Sequence, residues 1–311
     1  MAVMADKAQS VLDRLKAKAR NTGKPFQLLL QLFCQEEFLR RVQRSRYTNN
    51  LVLKGGLLLY CLSGFESRPT MDIDFMLRHQ SNSLPEVESL VKEIILVDTG
   101  NDYVVFDIKS MESIAEHREY NGVRVKMVGR IKNTRTPFDV DMGVGDVVIP
   151  RPEIRRIPTQ LEDFEEPEIM TYSLESTVAE KFDAIISRME LSSRMKDYYD
   201  IFYLANSYRF DARKLQEALF ETLQNRGTCY EADTFERIME FEQDNSMKQK
   251  WRQFIKNTVK EDLEFSEVLQ IINLFLSPVF SAILNETEAF GLWNPEKLKY
   301  KTTGKNRKRC R

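Results

Sequence analysis

The chain has 311 residues, enough for two domains with cores of ordinary size. Apolar residues make up 42% and charged residues 30%, a balance that points to a soluble globular protein and away from a disordered or membrane-embedded one. The 46 Lys and Arg nearly cancel the 47 Asp and Glu, so no global field points to nucleic acid or to a membrane, and local charge has to carry any such argument.

Four scattered cysteines (Cys34, Cys61, Cys229, Cys310) without CxxC spacing suit a reducing cytosol and offer neither a zinc site nor a disulfide framework. Two histidines, His79 and His117, leave little for a His-based metal site or triad. The opening MAVMADKAQSVLDRLKAKAR has charges every few residues and lacks the apolar centre of a signal peptide. A cytoplasmic location is therefore expected.

In chain order, residues 6–20 carry Val11, Leu12 and Leu15 at helical spacing, and residues 25–46 carry a stripe of Phe26, Leu29, Leu30, Phe33 and Phe38. This second helix ends in RRVQRSR, where Arg40, Arg41, Arg44 and Arg46 cluster. The cluster reads either as a solvated cationic helix C-terminus or as a patch that meets phosphates.

The stretch 51–77, LVLKGGLLLYCLSGFESRPTMDIDFML, reads as a strand, a Lys54-Gly55-Gly56 turn, an apolar helix-like run, a polar loop and a second strand. Alternation puts Asp72, Asp74 and Met76 on one face of that strand and Ile73, Phe75 and Leu77 on the other, which is the one to bury. Adjacent carboxylates repel and are costly to bury without a cation between them. A helix over 84–95 and strands over 103–108, 123–131 and 137–142 follow. The last reads PFDVDM and places Asp139 and Asp141 on one face, a second D-x-D strand.

Residues 151–172 carry Pro152, Pro158 and Pro167 and an acidic run, which predicts an extended inter-domain connector. Beyond it nearly everything to residue 284 reads as helix: a stripe at 174, 178, 182, 185 and 189, then amphipathic runs over 195–208, 211–224, 231–241, 247–259 and 264–276. The apolar run 268–284, broken by Gln270, Asn273, Ser277 and Pro278, predicts a buried helix ended at the proline, not a membrane span. The last 15 residues, 297–311, include eight Lys or Arg and predict a solvated tail, with nucleic-acid contact as the other reading.

The chemistry gathers around the first D-x-D strand. Two glycines between strand and helix let backbone N–H groups approach a phosphate, and the helix start and Lys54 add positive charge. Asp72 and Asp74 follow Gly56 by 16 and 18 residues, a separation that brings the chain back beside its starting strand. Hard oxygen ligands of this kind select Mg²⁺ bridging carboxylates and substrate phosphates. A third carboxylate, Asp141 or alternatively Asp139, would complete a two-ion site of the sort that serves nucleotidyl transfer. In the helical half Lys181 and Arg188 lie on the core-facing stripe, where they either snorkel or meet an anion, and Asp197 and Asp200 read as their ion-pair partners or as ligand-positioning groups.

The segments KGG, RPTMDIDF, VDMGVGDVVIP and TYSLESTVAEKFDAIISRMELSSRMKDYYDIFYL, in this order, resemble the motifs of the AbiEii/AbiGii nucleotidyltransferase toxins. The likeness spans roughly 25–285. It implies an α+β fold, with a minimal polymerase-β-like nucleotidyltransferase domain (1–150), a connector (151–172), an all-helical domain (173–296) and a basic tail (297–311). The activity it implies is transfer of a nucleoside monophosphate from an NTP with Mg²⁺, acting as a toxin on RNA, most readily a tRNA 3′ end. A cognate antitoxin encoded nearby is implied as well. By resemblance Asp72, Asp74 and Asp141 hold metal, Lys181 holds nucleotide phosphates and Asp200 is the aspartate of the helical motif. Lys54, Gly55, Gly56, Arg68, Thr70 and Arg188 complete the nucleotide-binding set. Gly56 stands where many polymerase-like transferases have Ser, so contact there would be by backbone only. Two rival readings are a non-catalytic GTP- or NTP-binding toxin that acts through a partner, and an enzyme that nucleotidylates protein.

Overall fold

The computed structural model describes residues 2–115, 121–259 and 262–301, and the side chains of 7–114, 122–259 and 262–301. The chain divides into two compact units, one of residues 1–146 and 152–171, the other of residues 147–151 and 172–311.

The first unit is built on a mixed seven-stranded sheet. Its elements are α1 (Ala2–Thr22), α2 (Phe26–Arg44), β1 (Leu51–Lys54), α3 (Gly55–Leu62), β2 (Asp72–Leu77), α4 (Leu84–Ile95), β3 (Val104–Ala115), β4 (Asn121–Ile131), β5 (Thr134–Gly143), β6 (Glu153–Arg156) and β7 (Glu168–Thr171). The strand order is β3-β4-β5-β2-β1-β7-β6, with β2–β5 and β1–β7 parallel and the other neighbours antiparallel. The stretch 151–172, expected to be a bare connector, thus supplies two strands. Its prolines fall outside β6 and β7, where no ladder donor is lost.

Helix α2 packs against β5, β7, α1 and α4 and buries most of its length, Arg40 and Arg41 included, while Arg44 and Arg46 stay exposed. The fully buried Glu37 carboxylate accepts from Arg40 Nε at 2.9 Å, Arg41 Nε at 3.2 Å, Asn101 Nδ2 at 2.8 Å and the Thr99 hydroxyl. Arg44 pairs with Glu165 at 2.5 Å and Arg46 with Glu93 at 2.7 Å. The phosphate reading of this cluster gives way to a structural one, because each guanidinium already has a carboxylate.

The second unit contains α5 (Leu174–Arg188), α6 (Met195–Ser207), α7 (Ala212–Asn225), α8 (Thr234–Glu240), α9 (Asn245–Phe254), α10 (Phe265–Leu284) and a small hairpin, β8 (Leu292–Asn294) with β9 (Lys299–Lys301). Ser173 caps α5 by accepting from the Ser176 N–H at 3.1 Å. α10 continues through Pro278 rather than ending there. The proline sits on the exposed face, as does Leu274, whose carbonyl it cannot pair, while Val268, Ile272, Phe275, Val279, Phe280 and Ile283 carry the buried stripe past it. α10 is long and apolar enough to cross a membrane by length and composition, and half of that stretch is buried against its neighbours. The basic tail beyond Lys301, with Cys310, lies outside the described residues, as does His117.

Candidate active site

Strand register assembles the charged groups of the first unit. The parallel pairing of β2 with β5 sets Asp72 across from Asp139 and Asp74 across from Asp141. β1 adds Lys54 opposite Asp74, and β4 adds Arg124 opposite Asp141 and Lys126 opposite Asp139. Paired residues on neighbouring strands point to one side, so one row reads Lys54–Asp74–Asp141–Arg124 across four strands. Both D-x-D pairs face the same way. One row further along, Val52 opposes Met76 and both are buried, so the face is charged only toward the Lys54 end. Met76 is therefore core rather than an open-face residue.

The two glycines are shaped around the chain's own side chains. Gly55 has φ +68, and a Cβ there would lie 2.0 Å from Asp74 Oδ2. A Cβ on Gly56 would lie 2.9 Å from Thr70 Oγ1 and 3.4 Å from Arg68 Nη1. Arg68 is a buried cation at the start of α3. Thus Asp74, Thr70 and Arg68 converge on the Gly-Gly turn, where the helix N-terminus also contributes partial positive charge. Lys54 Nζ is engaged with Asp146 Oδ2 at 2.5 Å, so its charge is shared with a carboxylate from the end of the unit.

Asp141 is held through both oxygens: Arg124 Nε donates to Oδ1 at 2.8 Å and Nη2 to Oδ2 at 2.6 Å. Arg124 Nε also lies 3.7 Å from Asp139 Oδ2. Burial raises the Asp72 carboxyl above its ordinary range, and repulsion from Asp74, Asp141 and Asp139 raises it further, against a smaller opposing pull from Arg124. The carboxylates of Asp72, Asp74, Asp139 and Asp141 are hard oxygen donors, the chemistry that a divalent cation takes. Among the described residues no three acidic, histidine or cysteine groups converge as a ready-made cage, and the guanidinium of Arg124 stands where counter-charge is needed.

Lys181 lies in the second unit, and its surroundings there are ionic. The nearly buried Nζ donates to Asp197 Oδ1 at 3.0 Å and lies 3.2 Å from Asp200 Oδ2, while Arg194 Nε donates to Asp197 Oδ2 at 2.8 Å. The expected Lys181–Asp197–Asp200 set is thus one network joining α5 to α6. Arg188 is half-buried at the end of α5, with its Nε buried and lacking a hydrogen-bond partner. A second network binds Arg226 to Glu180 at 2.8 Å and to Asp183 at 3.1 Å.

Arg124 and Asp146 escaped the reading of the sequence. For Arg124 a signal existed. Ile131 and Thr134 are joined by a two-residue turn, and counting back along the resulting hairpin sets residue 124 against 141. Asp146 lies past the strand and carries no periodic signal.

The family model of the nucleotidyl transferase AbiEii toxin, type IV toxin–antitoxin system, matches residues 37–283. The chain belongs to this family. It is accordingly a nucleotidyltransferase toxin of the type IV toxin–antitoxin class, as the motif order implied. Among solved structures it is similar to MenT4, a nucleotidyltransferase toxin from Mycobacterium tuberculosis, with a TM-score of 0.51 and 16% identity over 71% of this chain and 76% of that one. It is also similar to JHP933 from Helicobacter pylori, with a TM-score of 0.46 and 13% identity over 84% of this chain and 94% of that one. At such identity the MenT4 likeness speaks for the fold, which is of the polymerase-β-like nucleotidyltransferase kind. No curated protein matched the chain.

Proposed function

We propose that this AbiEii-family protein transfers a nucleoside monophosphate from an NTP to RNA, with Mg²⁺ held by Asp72, Asp74 and a carboxylate of β5. The observation that carries the proposal is the register of β2 on β5, which faces one D-x-D pair with another beside a Gly-Gly turn. Hard carboxylate oxygens are the donor type that Mg²⁺ takes alongside substrate phosphates. Bound there, the ion supplies Lewis acidity to the phosphates and lowers the pKa of the attacking hydroxyl.

The remaining roles fall to side chains. The α3 N-terminus and Arg68 favour the negative charge of a triphosphate near Gly56, and Thr70 shapes that turn. Lys54, steadied by Asp146, adds positive charge at the same end of β1. The acceptor hydroxyl loses its proton to solvent and attacks the α-phosphorus, and pyrophosphate leaves with the electron pair of the broken P–O bond. Family resemblance assigns Lys181 to nucleotide phosphate and Asp200 to the conserved helical motif, and Arg188, on the same stripe as Lys181, is read as nucleotide-binding. RNA as acceptor, a tRNA 3′ end above all, rests on that resemblance and on the cationic residues 297–311. A cytoplasmic site of action and a nearby antitoxin belong to the same reading.

The deciding experiment incubates the protein with Mg²⁺, each labelled NTP and a cell lysate, followed by RNase or protease. Label lost to RNase and absent with Asp72→Ala supports the proposal. Label lost only to protease makes the acceptor a protein. NTP binding without pyrophosphate release in any lysate would replace the transferase with a non-catalytic binder.

A further inference from the structure

Arg124 and Asp141 form the best-defined ion pair on the charged face, and Asp141 is the residue that the family resemblance assigns to metal. A bidentate guanidinium–carboxylate fork satisfies both oxygens at once. A divalent cation reaching Asp141 competes with it for the carboxylate's charge, because both oxygens already lie against the guanidinium, at 2.8 and 2.6 Å. Asp139 is different. It faces Asp72 across the parallel ladder and meets Arg124 only at 3.7 Å.

We propose that Arg124 is a built-in counter-ion that competes with the divalent cation for Asp141, so that the site binds metal weakly until the guanidinium is drawn away. This rests on the nucleotidyl-transfer reading and deepens it. Triphosphate is the natural agent of release, since a phosphate oxyanion offers the guanidinium the same fork geometry that Asp141 does. Metal and NTP would then load together, and Arg124 is a positioning residue for the third carboxylate.

The test is Mn²⁺ binding to the full-length protein in the absence of nucleotide, followed by calorimetry and by the electron paramagnetic resonance of free Mn²⁺. Arg124→Gln is expected to bind Mn²⁺ roughly tenfold more tightly than wild type, the scale on which one neighbouring charge shifts a carboxylate equilibrium. Arg124→Lys, which keeps the charge but not the fork, is expected to fall between them, and it serves alone if the glutamine variant does not fold. A merely structural role would not raise affinity. Unchanged or weaker binding in variants that melt like wild type overturns the inference while leaving transfer intact. Absence of Mn²⁺ binding in wild type and variants alike, with or without NTP, overturns both this inference and the metal-dependent reading.

Discussion

The carboxylate of Asp74 occupies the place where a side chain on Gly55 would begin, 2.0 Å from an ideal Cβ. Both residues are thereby constrained, since the glycine cannot gain an atom without moving a predicted metal ligand. Gly55→Ala should abolish nucleotide transfer as completely as Asp74→Ala does. It should also destabilise the fold by about 1–2 kcal/mol from the left-handed backbone alone. Transfer assays and thermal melting of both variants check this, and an active Gly55→Ala protein would refute the packing argument.

Asp72 is crowded by Asp74, Asp141 and Asp139, so its charge costs the fold something when no cation is bound. Asp72→Asn should lose transfer and growth inhibition yet melt higher than wild type in EDTA, by about 2–4 °C if the relief approaches 1 kcal/mol. This opposition of activity and stability marks a functional carboxylate. A fall in both would make Asp72 a structural residue.

Lys181 is the shared counter-ion of Asp197 and Asp200, both almost fully buried. Lys181→Met takes this counter-ion from Asp200 and leaves Asp197 with Arg194, and should cost about 3–5 kcal/mol. Loss of activity in that variant would therefore say nothing about nucleotide contact. Combining it with Asp197→Asn and Asp200→Asn should recover most of the stability. If transfer stays lost in the refolded triple variant, the network has a role in the reaction beyond holding α5 to α6.

Glu36 offers the pH dependence. Its buried carboxyl is pushed up to about 8 by desolvation, although both oxygens accept from the Gln160 N–H, at 3.0 and 3.1 Å. Its ordinary value is 4.5, so between that pH and about 8 the folded state holds a proton that the unfolded chain releases. The Glu36 contribution to stability is full below the lower value and declines as pH rises through the window. Glu36→Gln keeps a carbonyl acceptor for Gln160 and removes the titration. Denaturation measured from pH 4 to 9 should show a decline on the order of 5 kcal/mol in wild type that is absent in the variant. Parallel curves would rule Glu36 out as its source.

Much of the architecture was open to inspection in the sequence because it follows from local periodicity. The alternation of Asp72 and Asp74 with Ile73 and Phe75, and of Asp139 and Asp141 with Phe138 and Val140, is a property of each strand alone, and so is the stripe of α5. The Lys54-Gly55-Gly56 turn and its distance from the first D-x-D pair are equally local. What joins those pieces is not. The offset that sets Asp72 against Asp139 belongs to two strands separated by an α-helix and a β-hairpin, and it depends on packing across the unit, with α2 against β5 and α4 against β3. The same applies to the partners of Lys54 and of the α2 arginines. A lone cation in a sequence has no stated counter-ion, and burial selects one from residues far along the chain, as it selects Asp146 for Lys54 and Glu37 for Arg40 and Arg41. The sequence by itself determined which residue types face which way. Only the tertiary structure decided which charges meet, because that choice depends on strand order and register, and these minimise the free energy of the whole core rather than of any one segment.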